Sequence, residues 1–203
     1  MRNHFQKTHF MVELALMVAI IFVMAFTPLG YFRTPALSIT FLTVPVSIGA
    51  MMLGPTGGAI CGFAFGLSSF IQNFTTPFGM ALITINPLAT FITCVGARVL
   101  DGFLCGVIAR KIKPRSESAS RLVVSLSCPI LNTVFFMSLL VLFFYNSDYI
   151  QGFVSTLGVA NPFSFILAFV GVQGVIEAIV CFLISSTISR PLERALRGKI
   201  AVK

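Results

Sequence analysis

Apolar residues run along the chain in long blocks separated by short clusters of Pro, Gly, Asn and Thr, and most charged residues collect at the block ends. A helix rises 1.5 Å per residue, so a block of roughly 20 apolar residues matches about 30 Å of hydrocarbon. The blocks predict an all-α, polytopic integral membrane protein. Its six transmembrane helices fall at approximately 11–27, 38–53, 56–72, 87–112, 119–145 and 162–188. Six crossings consume most of the 203 residues, so one membrane domain, 1–203, is expected, with no separate soluble domain. No small-residue cleavage site follows the first block, which is therefore expected to be a retained span rather than a cleaved signal.

The connections carry their own signals. After Pro28 and Gly30, the stretch LGYFRTPALSIT reads as an external loop long enough to fold back over something. Gly54-Pro55 marks a turn so short that the second and third helices must be antiparallel neighbours. Gly58, Gly62 and Gly66 share one face of the third helix, where small residues let another backbone approach closely. The stretches 73–86 and 146–161 read as further external connections, the first of them open to a re-entrant path. Asn86-Pro87 and Asn161-Pro162 read as a cap followed by a first helical proline.

Composition agrees with a hydrocarbon solvent: 57% of residues are hydrophobic and 10% charged, the mean hydropathy is +0.97, and there are 22 Phe. A soluble globule would carry about 25% charged residues, so soluble enzymes and disordered regulators are excluded as leading classes. The net charge of +8 would suggest nucleic acid in a soluble protein. Here the positive charge sits in runs at span ends: Arg2 and Lys7; Arg110, Lys111, Lys113, Arg115 and Arg121; Arg190, Arg194, Arg197, Lys199 and Lys203. Arg33 stands alone in the external loops. This bias predicts both termini in the cytoplasm and no nucleic-acid partner. The tail beyond Arg190 reads as a basic amphipathic segment at the headgroups.

Five cysteines, Cys61, Cys94, Cys105, Cys128 and Cys181, lie scattered through apolar stretches, an odd number that argues against a disulfide framework. With peripheral histidines and no evident ligand spacing, no metal is expected. No catalytic residues and no cofactor are expected either. There is no Gly-rich Lys-Thr nucleotide loop, so ATP could power this chain only through another subunit.

Polar residues inside spans mark the candidate chemistry, because burying them in lipid is costly. Arg98 and Asp101 lie three apart on one helix face, where a mutual ion pair is available. A competing reading comes from depth: Arg98, Asn132 and Gln173 each lie roughly 16 to 20 Å below the outer end of their helices. Three polar groups converging at one level would suit an outward-opening pocket for a small polar molecule. Glu177, one turn below Gln173, could pair with Arg98 or Asp101 at its floor. Gln72, Asn73 and Asn86 sit near the top, where capping would also explain them. Tyr31, Phe32, Arg33 and Thr34 could form a lid that excludes water. Polar residues joining helices without any ligand, and an autonomous secondary transporter, remain alternatives at this stage; no internal repeat supports the latter.

Ala15-Leu-Met-Val-Ala19 in the first helix forms a small-residue face. Taken with the turn MLGPTGGAICG, the aromatic external loop and the Asn86-Pro87 start, the whole chain resembles the substrate-binding S-component of energy-coupling factor vitamin transporters. The resemblance implies a bacterial cell-membrane subunit that captures a vitamin. It implies a transmembrane coupling subunit docked on Ala15 and Ala19, two ATPase subunits, a loop that closes the site, and toppling of the loaded subunit. The segment PLGYFRTPALSITFLTVPVSIGAMMLGPTGGAICGFAFGLSSFIQ, with the later INPL, is most similar to the pantothenate-binding branch, which cobalamin and pyrimidine or thiamine-precursor binders also resemble. Arg98 or Arg33 could pair with the carboxylate of pantothenate.

Overall fold

The computed structural model describes the backbone of residues 2–33, 38–159 and 161–200, and the side chains of 7–31, 40–159, 161–171, 174–188 and 191. Helix α1, Arg2–Ala25, leads through a turn into strands β1, Tyr31–Arg33, and β2, Ser38–Thr40. There follow α2, Thr43–Asn73; α3, Pro77–Ile85; α4, Pro87–Phe91; a π-helical turn, Ile92–Gly96; α5, Ala97–Ile112; α6, Glu117–Phe144; α7, Asp148–Leu157; and α8, Pro162–Ile200.

The 31 residues of α2 form two helical arms. Gly54 breaks the helix at φ 72°, a left-handed value that glycine adopts without strain, and Pro55 starts the second arm. Residues 49 and 61 would be about 18 Å apart in a straight helix. Instead a Cβ built on Gly49 would lie 2.7 Å from Cys61 Sγ, so the arms fold back on one another. The antiparallel turn expected from Gly54-Pro55 is present.

The second arm packs on α5 at backbone distance. Gly58 meets Gly102, Gly62 meets the Arg98 carbonyl, Gly66 lies against Val95, and Gly106 meets Pro55. The three-glycine face is thus a helix-packing surface, its contact being the dispersion attraction of touching backbones. The pairs run in opposite sequence order, so this arm and α5 are antiparallel.

Across the first arm and α8 the order is parallel. Thr40 N–H donates to Glu177 Oε2 at 3.3 Å, Thr43 Oγ1 to Cys181 Sγ at 3.1 Å, and the Ser47 and Ser185 hydroxyls lie 2.9 Å apart. Ser120 Oγ donates to the Ala109 carbonyl and Cys128 Sγ to Asp101, which makes α5 and α6 antiparallel. At the end of the first arm, Lys113 Nζ donates to the Met51 carbonyl, so the Gly54 turn and the basic α5–α6 connection share one end of the bundle. The β-hairpin lies toward the other end, where Gln72 Nε2 donates to the Ala25 carbonyl.

Four described stretches are long and apolar enough to cross a bilayer, Lys7–Ala25, Thr43–Asn73, Pro87–Ile112 and Glu117–Phe144, the second of them folded into the two arms that meet at Gly54. A fifth is reached if Asp148–Leu157 and Pro162–Gly171, meeting at 75°, form one broken span. The six-block reading differs at identifiable places. Residues 38–40 are strand rather than helix. The first arm of α2, Thr43 to Leu53, is only about 16 Å long. The last expected block, 162–188, lies within the single helix α8, Pro162–Ile200. The connections at 73–86 and 146–161 contain α3 and α7, whose first turns are capped by Thr76 and Ser147.

Two apolar cores result. One gathers Ile21, Leu42, Val46, Phe65 and Val124 around α2, and the other gathers Leu82, Met137, Phe144, Ile150 and Phe165 where α3, α6, α7 and α8 meet.

Candidate functional site

A polar layer lies between these cores and centres on Arg98, the second residue of α5. Its guanidinium carbon stands 5.2 Å from the Phe65 ring centroid and 4.4 Å from that of Phe136. Phe65 belongs to the first core and Phe136 packs on the second, so Arg98 joins the two by cation–π contacts. Arg98 Nη1 donates to the Thr93 carbonyl at 3.2 Å, within the π-helical turn. Arg98 Nε is buried without a hydrogen-bond partner.

Asn132 of α6 and Glu177 of α8 reach the same layer. The Asn132 amide lies beside the Glu177 carboxylate, and the Arg98 charge acts on Glu177, Asp101, Tyr31 and Cys94. Glu177 Oε2 accepts from Thr40 N–H, whereas Glu177 Oε1, Asn132 Oδ1 and Thr93 Oγ1 are buried without partners. Buried polar groups are ordinarily paired, and an unpaired one costs about 1–3 kcal/mol. Four such atoms in one layer, Arg98 Nε among them, constitute a set of unmet donors and acceptors.

No ion pair joins Arg98 to Asp101 or Glu177 among the described residues. The intrahelical pair that the spacing offers is not made. Asp101 turns instead toward α6, where Oδ1 accepts from Cys105 Sγ and Oδ2 from Cys128 Sγ, each at 3.4 Å. Three potential metal-ligand atoms, from Asp101, Cys105 and Cys128, therefore lie within 4.8 Å of one another. The scattered spacing of the cysteines conceals this cluster. Both of its carboxylate oxygens are occupied by thiols, so the arrangement is a complete cross-link between α5 and α6.

Above the layer, the hairpin pairs Tyr31 with Thr40, Phe32 with Ile39 and Arg33 with Ser38. The Tyr31 hydroxyl lies 3.0 Å from Ser69 Oγ. Burial pushes the Tyr31 phenol above its ordinary value, opposed by the hydrogen bond to Ser69. Phe32 and Arg33 lie in β1, but their side chains, that of Gln173 and all of Thr34 lie outside the described residues. Asn73 Nδ2 donates to Cys94 Sγ at 3.2 Å, which ties the C-terminal end of α2 to the π-helical turn. Gln72 holds the end of α1 through the Ala25 carbonyl, and Asn86 Oδ1 accepts from Ala89 N–H as the cap of α4. Ala15 and Ala19 are exposed on α1, flanked by exposed Val12, Leu16 and Val23, while Met17, Ile21 and Ala25 face the bundle.

Sequence reasoning missed Phe65, Phe136, Thr93, Ser69 and Thr40. Nothing separates Phe65 and Phe136 from the other phenylalanines by pattern, Thr93 is one of many threonines in apolar stretches, and Thr40 contributes backbone groups that carry no side-chain signal.

The sequence matches a family model described as the ECF transporter, substrate-specific component, over residues 9–189. No curated protein matches it.

Proposed function

Since the chain belongs to the family of ECF transporter substrate-specific components, we propose that it is the membrane subunit that captures pantothenate from outside a bacterial cell. The observation that supports this reading is the layer of unpartnered buried atoms, Arg98 Nε, Asn132 Oδ1, Glu177 Oε1 and Thr93 Oγ1, below the hairpin. Together they provide one cationic donor and at least two acceptors. Pantothenate offers a carboxylate together with hydroxyl and amide donors. Arg98 binds the carboxylate, Asn132 and Glu177 accept from the hydroxyl and amide hydrogens, and Gln173 completes the wall. Arg33 is the competing partner for the carboxylate.

Tyr31, Phe32 and Arg33 cover the site from the hairpin. Gln72, Asn73 and Asn86 form its outer rim, holding the helix ends that frame the entrance. Ala15 and Ala19 give a coupling subunit a smooth helix face, and two partner ATPases supply the energy. The chain crosses the bilayer six times if the two arms of α2 and the region of α7–α8 are counted as crossings, with both termini on the cytoplasmic side, where the basic runs gather.

Equilibrium binding of labelled pantothenate to the detergent-purified chain tests the solute, and reconstituted uptake tests the engine. Saturable binding by the chain alone, with uptake only when ATPase partners are present, is expected. Binding of cobalamin or a pyrimidine precursor instead would reassign the solute, and ion-driven uptake by the single chain would overturn the transporter class.

A further inference from the structure

The bottom rung of the hairpin is fastened to two different helices. Tyr31 holds Ser69 on the second arm of α2 through its hydroxyl. Its cross-strand partner Thr40 uses both backbone groups on α8: N–H donates to Glu177 Oε2 at 3.3 Å, and C=O accepts from Cys181 Sγ at 3.5 Å. Thr40 Oγ1 accepts from Leu42 N–H. Phe41 N–H donates to the Gly30 carbonyl, so Tyr31 and Thr40 form a non-hydrogen-bonded cross-strand pair and the Thr40 N–H points away from β1 to the carboxylate. That carboxylate is the same group whose second oxygen, Oε1, is buried and unpartnered beside Asn132 in the polar layer.

We propose that Glu177 is a positioning residue that couples occupancy of the polar layer to the β-hairpin, one carboxylate oxygen holding Thr40 and the other taking a donor hydrogen of the solute. This rests on the reading of the layer as the solute site. Before a solute donor reaches Oε1, the carboxylate is held by the Thr40 N–H and the neighbouring Asn132 amide. A hydrogen donated by the solute fixes the second oxygen, so the Oε2 bond to Thr40 persists for longer and the hairpin base is held while the site is filled. A ligand shifts an equilibrium only by its differential affinity for the two states, and Glu177 supplies that difference because the strapped orientation is the one that presents Oε1 to the solute. A carboxylate is required because it has two acceptor oxygens. Glutamine keeps one acceptor oxygen and turns an NH2 donor to the other position, so a donor from Thr40 and a donor from the solute no longer each meet an oxygen.

Hydrogen–deuterium exchange of the detergent-purified full chain, read over residues 38–43, tests this with pantothenate as probe and its binding measured on the same samples. Without pantothenate, Glu177→Leu is expected to speed exchange there by roughly tenfold, the weight of one hydrogen bond to a charged acceptor, while residues 97–112 exchange as in wild type. Equal exchange in the two proteins would overturn the strap.

With pantothenate bound, wild type is expected to gain protection over residues 38–43. Glu177→Gln at saturating pantothenate is expected to gain none, and Cys181→Ala, which leaves the carboxylate intact, to gain it as wild type does. Full protection in Glu177→Gln, its loss in Cys181→Ala, or faster exchange on binding to wild type would each overturn the coupling. Failure of wild type to bind pantothenate would count against the choice of solute, and the ligand-free comparison would still decide the strap.

Discussion

Gly58 and Gly102 face each other so closely that a Cβ built on either would fall on the carbonyl oxygen of the other. This contact joins the second arm of α2 to α5 and thereby sets the height at which α5 presents Arg98. Alanine at either position must push the two backbones apart. Overpacking of this kind costs about 1–3 kcal/mol. Gly58→Ala and Gly102→Ala are expected to lower the thermal unfolding midpoint in detergent and to weaken solute binding. Gly152→Ala, at a position with open space, should change neither.

Arg98 and Arg33 are separable by affinity. Removal of a buried charged hydrogen-bond partner costs roughly 2 to 5 kcal/mol, at least about a 30-fold weakening. Titration of pantothenate into Arg98→Ala is expected to show that loss, with Arg33→Ala close to wild type. The reverse pattern would move the carboxylate to the hairpin, and unchanged affinity in both variants would remove the carboxylate pairing.

Ala15 and Ala19 lie on the exposed side of α1, away from the polar layer. Tryptophan at either should leave binding by the isolated chain intact while preventing close helix contact with a coupling subunit. Co-purification with the partner subunits and uptake in the reconstituted complex are both expected to fall. Full assembly would place the docking face elsewhere.

Tyr31 provides a pH signature at the hairpin base. Burial raises its folded-state value above the ordinary 10.0. A raised value means that the unfolded chain loses this proton first. The stabilisation is therefore complete below the unfolded value and is lost as pH rises through the folded one. Between about pH 9 and about pH 11 the unfolding midpoint of wild type should fall further than that of Tyr31→Phe, which has no phenol to ionise.

The parts of the fold legible in the sequence were those fixed by backbone sterics. Gly54-Pro55 turns because one residue tolerates a positive φ and the next begins a helix. The Gly58, Gly62 and Gly66 spacing permits backbone contact whatever the partner. Asn86 caps because its side chain reaches the N–H three residues on. What escaped was whatever depends on the neighbouring element. The Arg98 and Asp101 spacing allows an ion pair, yet Arg98 finds Phe65 and Phe136, and Asp101 finds Cys128 on a helix that the spacing does not reveal. The π-helical turn at Ile92–Gly96 leaves no compositional mark. The helices α3 and α7, capped by Thr76 and Ser147, lie in connections whose mixed composition reads as loop. At the site, the convergence of Arg98 and Asn132 followed from depth alone, whereas the link from Glu177 to the Thr40 backbone required knowing that α8 lies beside the first arm.

Mass spectrometry of the small molecules retained by the purified chain tests the solute-binding layer most directly, comparing wild type with Arg98→Ala and Asn132→Ala. One pantothenate per wild-type chain, with both variants depleted, is the expected result. Retention that is equal in all three proteins, or a wild-type chain that holds no solute and binds none when it is supplied, would contradict it.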